Sequence, residues 1–230
     1  MSITPEEPFP STDISSFFIN VLCVLLMYGS AYLANTGAML FGKWIPEKTG
    51  IQVIVIDGGR NYSDGHRLLG DGKSWNGLIG GGIVSGLLFM LAHKLWNSNG
   101  ANAPLVDPLL YADSNDWFWL IESDNSGLIA AFTMGFVLGF ACMVGDMCGS
   151  FIKRRRGLKR EGDQSSEAPL LDTIPFAIAI FITSFILFDG QIITHHNLVE
   201  EILFLLLVTP LIHRLFNVIG YKFGLKDVPY

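Results

Sequence analysis

Long apolar runs, broken by polar segments, set the plan of this chain. A membrane-spanning helix needs roughly 20 predominantly apolar residues. Five stretches meet that condition: about Ile14 to Phe41, Asn76 to Leu95, Gly127 to Phe151, Ile174 to Phe188 and Leu198 to Tyr221. The first is long for one crossing, so its end, ANTGAMLFG, is expected to kink or to leave the apolar layer. The apolar residues are bunched rather than spaced at amphipathic intervals, so these helices are expected to meet lipid. Small residues recur at four-residue spacing, Gly82 with Gly86 and Gly135 with Gly139. That spacing lets helices approach closely in lipid. Met134, Phe136 and Phe140 read as packing residues. The predicted fold is an all-α integral membrane protein of about five transmembrane helices, a single membrane domain over residues 1–230.

Composition supports this reading. Of 230 residues, 50% are hydrophobic and only 16% charged, against about 25% charged in soluble domains. The opening MSITPEEPFPST holds two Glu and neither Lys nor Arg, the opposite of a secretory leader. The three cysteines, Cys23, Cys142 and Cys148, form no CxxC pair and read as buried thiols.

Charge sets the expected orientation. With the segments assigned alternately to two sides, 14 of the 15 Lys and Arg residues fall on one side and only Lys94 on the other. By the positive-inside rule the N-terminus is outside, while the C-terminus and two polar loops, about 42–75 and 152–173, are cytoplasmic. The expected location is therefore the cell membrane, with the active site facing the cytoplasm. The outer loop from Trp96 to Ser126 is acidic and carries Trp117-Phe118-Trp119, read as a solvated segment with an interfacial anchor. His195 and His196, near Glu200 and Glu201, read as a polar hairpin. The Asn61-Tyr62-Ser63 sequon is discounted because it lies on the cytoplasmic side.

Two stretches carry the candidate chemistry. The first runs from Ile56 to Gly77 and repeats an Asp-Gly-cation theme: Asp57 with Arg60, Asp64 with Arg67, Asp71 with Lys73. Glycines let backbone amides approach an anion. Arginine and lysine add charge-assisted bonds to phosphate, and Mg²⁺ binds through one or two carboxylates plus substrate phosphates. GDGKS is not a P-loop, because Arg67 stands where that motif needs glycine. The second stretch runs from Gly145 to Asp172. Asp146, Ser150 and Lys153 share one helical face at i, i+4 and i+7. A carboxylate costs roughly 2.5–3.5 kcal/mol at a membrane-helix centre and less toward an end, so Asp146 is a functional candidate by default. Asp172 sits at the mirror position before the fourth run. In the last run, His213, Arg214 and Asn217 lie near the cytoplasmic end, Arg214 divided between snorkelling and a site role.

ANTGAMLFG, IDGG, LLGDGKSW, GDMCGSFIKRRRGLKR, PLLD and the tail NVIGYKFGLKDVPY together resemble the CDP-archaeol synthase family, from about Tyr32 to Tyr230. The chain is similar, more distantly, to phosphatidate cytidylyltransferases, whose GD-x-x-x-S-x-x-K-R stretch is matched by Asp146, Ser150, Lys153, Arg154 and Lys159. Asp172 matches the first later Asp; Pro175 and Gly149 stand where those relatives carry acids.

The resemblance implies cytidylyl transfer from CTP to an unsaturated archaeal ether-lipid phosphate. It implies Mg²⁺ held by Asp146 and Asp172, phosphates neutralised by Lys153, Arg154 and Lys159, and a nucleotide pocket completed by Ser150, Asp57, Arg60, Asp64, Arg67, Asp71 and Lys73. Expected partners are CTP, the lipid phosphate and membrane lipids, with no nucleic acid and an oligomeric state the sequence does not specify. A CDP-alcohol phosphotransferase is excluded, because no Ala-Arg follows Asp57-Gly58 at the required offset. The remaining alternative is a transporter or anionic-lipid binding protein without catalysis.

Overall fold

A computed structural model describes residues 14–99, 127–158, 168–187 and 198–222. The outer-loop Trp117 to Trp119, His195, His196 and Lys159 lie outside the described residues. The described elements are helical: α1 (Ile14–Tyr32), α2 (Ala34–Met39), a π-helical turn (Leu40–Trp44), α3 (Ile45–Thr49), α4 (Trp75–Asn99), α5 (Leu128–Arg155), α6 (Pro169–Leu187) and α7 (Val199–Lys222). Five helical segments are long and apolar enough to cross a membrane.

The first apolar run does kink, at Leu33, and then continues as helix to Thr49. Just past that break, Gly37 lets the chain close on α4. A side chain at Gly37 would strike the Gly80 carbonyl and Val84 of α4, so the backbones touch. The following turn widens so that Phe41 seats against Gly80. Pro46 is tolerated in the first turn of α3, and Gly50, at φ 74°, ends it in the left-handed region.

The centre of the bundle is α5, which packs on α1, α2, α4 and α6. Its glycines make those contacts. Cβ atoms at Gly135 and Gly139 would collide with Phe89 and Ser85 of α4. At Gly145 and Gly149 they would collide with the Pro175 and Leu171 carbonyls of α6. We expect Gly139→Leu to leave little protein that survives detergent extraction as a monodisperse species, whereas Gly29→Ala, where a side chain meets open space, leaves yield unchanged. Size-exclusion profiles check both.

Polar links tie α1 to its neighbours: Tyr28 to Ser184, Tyr32 to Thr209 at 3.0 Å, and Asn20 to Glu201 at 3.1 Å. Outward-facing α7 presents Leu203, Leu207, Leu211 and Leu215 at four-residue intervals, all more than half exposed. In water such a ridge is an aggregation surface; in a bilayer it is the lipid face.

Candidate active site

Two polar segments meet at one end of the bundle. The segment between α3 and α4 folds back on itself through an antiparallel contact of Val55 with Ser74. The Ile56 amide donates to the Lys73 carbonyl and the Trp75 amide to the Ile54 carbonyl, both at 2.9 Å. GIQVIVI is therefore the outgoing arm of a loop whose return arm is the start of α4. A second crossing joins Asn61 to Arg67.

Asp57 organises this loop. Its side chain is 0% exposed. Arg67 grips it at 2.8 and 3.1 Å, and the amides of Gly59, Leu69 and Gly70 donate to it at 3.0–3.1 Å. Arg67, helped by those amides, holds the Asp57 carboxyl well below the usual carboxylate range, against the opposing effect of burial. A depressed carboxylate contributes stability that is present above its unfolded value, about 4, and lost as pH falls through the folded value. We therefore expect the Leu69 and Gly70 amides to stay protected from hydrogen exchange at pH 4. They should open only at lower pH, and Arg67→Ala should move that opening upward.

The loop docks on the end of α5. Lys73 is ion-paired with Asp146. Arg154 donates to the Leu69 carbonyl at 3.4 Å and to the Leu158 carbonyl at 3.0 Å. Arg155 does most of the holding. It pairs with Asp64 at 2.7 Å, donates to the carbonyls of His66 and Arg67, and lies over the rings of Tyr62 and Phe151 at 4.8 and 5.0 Å. Such a planar cation suits both tasks at once.

Between loop and bundle lies a polar cavity of about 370 Å³. Asp71, Lys73, Asp146, Glu47, Lys43 and Asn35 are on its wall. Of the residues expected to form the nucleotide pocket, Asp71 and Lys73 thus reach the cavity, whereas Asp57, Arg60, Asp64, Arg67 and Ser150 are not among its lining residues. Asp57 and Arg67 serve the loop's own architecture, and Asp64 serves its docking. Ser150 and Lys153 are buried on the same face of α5 as Asp146. Lys153 is ion-paired with Asp172, which is buried in the first turn of α6 rather than ahead of it. Among the described residues, no three acids, histidines or cysteines converge as a ready-made metal cage. A cation bound mainly through nucleotide phosphates needs no such cage. Asp146, on the cavity wall, fits that role; Asp172 is not on that wall and is engaged by Lys153.

Glu47, Lys43, Asn35 and Arg155 were not singled out by sequence. Glu47 and Lys43 lie on helix that continues past the expected end of the first span, and Asn35 lies inside that span, just after its break. Arg155 stood in a basic run, beside the motif-matched Arg154, with nothing of its own to mark it.

Residues 17–111 and 116–230 match the family described as CarS-like, CDP-archaeol synthase. The chain belongs to this family. It is 30% identical to the CDP-archaeol synthase of Picrophilus torridus over 212 residues, covering 92% of this chain and 98% of that one. It is 33% identical to the CDP-archaeol synthase of Methanospirillum hungatei over 205 residues, covering 87% and 98%. With that of Thermococcus gammatolerans it shares 34% over 200 residues, covering 87% and 91%. A solved structure of an intramembrane enzyme for archaeal membrane lipid biosynthesis is 26% identical, covers 73% of this chain and 78% of that one, and has a TM-score of 0.46.

Within the family frame, the two departures from the wider cytidylyltransferase pattern are one packing contact. A Cβ at Gly149 would sit 3.3 Å from Pro175 Cγ and would collide with the Leu171 carbonyl. The helix approach that brings Asp172 to Lys153 leaves no room for an acid at Gly149.

Arg155 gives a direct test of loop docking. We expect Arg155→Ala to raise the KM for CTP by about tenfold, the loss of one charge-assisted pair and its ring contacts, with kcat changed much less. CTP-titrated pyrophosphate release reads both.

Proposed function

We propose that this chain transfers the cytidylyl group of CTP to 2,3-di-O-geranylgeranylglyceryl phosphate, giving CDP-archaeol and pyrophosphate. What supports this reading is the match to the CDP-archaeol synthase family over nearly the whole chain, joined to a polar, cation- and acid-lined cavity at one end of an apolar bundle. The lipid phosphate is itself an anionic nucleophile, so no side-chain nucleophile is required. One of its oxygens attacks the α-phosphorus of CTP. The bond from that phosphorus to the bridging oxygen breaks, and pyrophosphate leaves with the electron pair.

The barrier is the meeting of anions, and cations at the cavity wall lower it. Lys73 and Lys43 face the cavity, and Lys153 and Arg154 stand on the adjoining end of α5. Mg²⁺, when bound, supplies positive charge shared among the CTP phosphates. Asp146 would hold it, with Asp71 and Glu47 on the same wall. Asp172 would keep Lys153 charged and oriented. In the free protein Asp146 is occupied by Lys73; substrate binding would exchange these partners, turning Lys73 toward phosphate.

The charge asymmetry supports a cytoplasmic placement of this end, with the N-terminus outside. CTP is a cytoplasmic metabolite in any such arrangement. Purified protein given the lipid phosphate and each of the four ribonucleoside triphosphates in turn tests the proposal. Release of pyrophosphate with CTP alone, dependent on lipid, is the expected result. Release without lipid, or equally with all four, contradicts it.

A further inference from the structure

The arm of the loop that leads out from α3 carries no charge from Gly50 to Ile56, yet its apolar side chains are not packed away. Ile51 and Ile54 are each more than half exposed, and Val53 is exposed between them. The arm is nonetheless fixed in place. Besides its backbone bonds to Lys73 and Trp75, it is clamped by Asn76 in the first turn of α4. That side chain accepts from the Ile54 amide at 2.9 Å and donates to the Gln52 carbonyl at 3.3 Å. The fold therefore holds this apolar surface outward. The far part of the same loop is of the other kind: residues 58–66, GGRNYSDGH, are exposed and mostly polar.

We propose that this arm is seated in the bilayer, at the boundary of headgroups and acyl chains in the leaflet at this end of the bundle, with Ile51, Val53 and Ile54 turned into lipid. The assignment stands apart from the reaction proposed above. Three observations select lipid as the partner. The arm continues a lipid-facing surface: Ile79, Leu87, Leu91 and Leu95 form an exposed apolar stripe along α4, and exposed Trp75 begins it. The Trp75 amide is bonded to the Ile54 carbonyl at 2.9 Å, so the apolar surface of the arm starts where the stripe ends. Next, the neighbouring residues are those that gather at headgroup level. Trp75 is at the helix end, and the Lys48 ammonium stands 5.9 Å from the centre of the Trp44 ring just before the arm. Finally, the loop is divided along its length, apolar at its base beside the helix ends and polar at its tip, as a loop rising from a bilayer surface must be. In water the base would be an aggregation surface; at the interface its burial contributes to seating. The seating has a consequence for Lys73. Its carbonyl is bonded to the Ile56 amide, so the depth of the arm sets the height of Lys73 above the acyl chains.

Site-specific photocrosslinking in the full chain, reconstituted into lipid vesicles, tests this. Benzoylphenylalanine is placed singly at Ile51 or Ile54 on the arm, at Leu91 on the α4 stripe, and at Ser63 on the polar tip. All four positions are exposed, so the probe displaces no packed neighbour. After irradiation, mass spectrometry counts lipid adducts and gel mobility shows crosslinks between copies. The expected result is lipid adducts from Ile51 and Ile54 at a level like that from Leu91. They should exceed those from Ser63 by at least about tenfold, the preference of one isoleucine side chain for an apolar layer over water. Adducts at Leu91 with none at Ile51 or Ile54 overturn the assignment and place the arm in water. Equal adducts at Ser63 and Ile54 overturn it as well, because the arm is then no different from the tip. A crosslink from Ile54 to a second copy, in place of lipid, makes the arm an interface between chains and also overturns it. None of these outcomes depends on turnover, so the reaction stands or falls separately.

Discussion

Asp146→Asn is expected to lower turnover by about a hundred- to a thousand-fold, the usual cost of removing one preorganised electrostatic contact at a reacting phosphate or acyl centre. The substitution keeps the shape of the side chain and removes its charge. Asp146 is partly open to the polar cavity, its side chain 24% exposed, and the amide oxygen can still accept from Lys73. The fold should therefore survive, and the thermal midpoint should stay within a few degrees of the unmodified protein. A second readout separates metal holding from general electrostatics: with CTP present, Mn²⁺ titrated into the variant should bind more weakly than into the parent. Full turnover in folded Asp146→Asn protein removes this acid from the mechanism.

Lys153→Met is expected to be damaging in a different way. Lys153 and Asp172 form an ion pair whose side chains are 8% and 4% exposed. Attraction within such a pair largely offsets the cost of burying it, so the pair as a whole adds little stability. Removing the cation alone leaves a buried carboxylate without its counter-charge, which costs about 3–5 kcal/mol. For a chain of this size that corresponds to a fall in thermal midpoint of roughly 10 °C. The double variant Lys153→Met with Asp172→Asn carries no charge at this buried site and should regain most of the lost stability. It should not regain activity, because no cation then stands beside Ser150 at the end of α5. Recovery of both stability and turnover in the double variant would make the pair purely structural. A Lys153→Met protein as stable as the parent would show that Asp172 is not buried as described.

The spans were legible because lipid demands about 20 apolar residues in a row, and little else in a sequence looks like that. The ends were less so. The third run was expected to stop near Phe151, yet α5 continues to Arg155. Its last turn stays helical where Lys153 finds Asp172 and Arg155 finds Asp64, contacts 19 and 91 residues distant in sequence. The first run was expected to end near Phe41. Gly37, Gly42 and Pro46 resemble breakers locally, but Gly37 is set by close contact with α4, and Pro46 sits where a helix tolerates it.

Asp146, Ser150 and Lys153 on one face could be read from helical spacing alone, because one helix carries all three. The loop residues could not be sorted that way. Asp57, Asp64 and Asp71 are each followed by glycine, and nothing local distinguishes them. Only the folded loop shows that Asp57 is turned inward to Arg67 and three amides, Asp64 sideways to Arg155, and Asp71 toward the cavity. The pairing of Lys73 with Asp146 spans 73 residues and depends on the loop's return arm, which no short motif announces.

The central claim is that the nucleotidyl half of CTP moves onto the lipid. It is tested most directly with CTP labelled at a chosen phosphorus. Purified protein, Mg²⁺ and the lipid phosphate are incubated with CTP labelled at either the α- or the γ-phosphorus, and the organic phase is counted. Cytidylyl transfer predicts that the α-label enters the lipid while the γ-label stays in the aqueous phase as pyrophosphate. Label entering the lipid from the γ-position would mean phosphoryl rather than cytidylyl transfer. No label in the lipid from either position, with protein shown to be folded, would contradict the assigned reaction altogether.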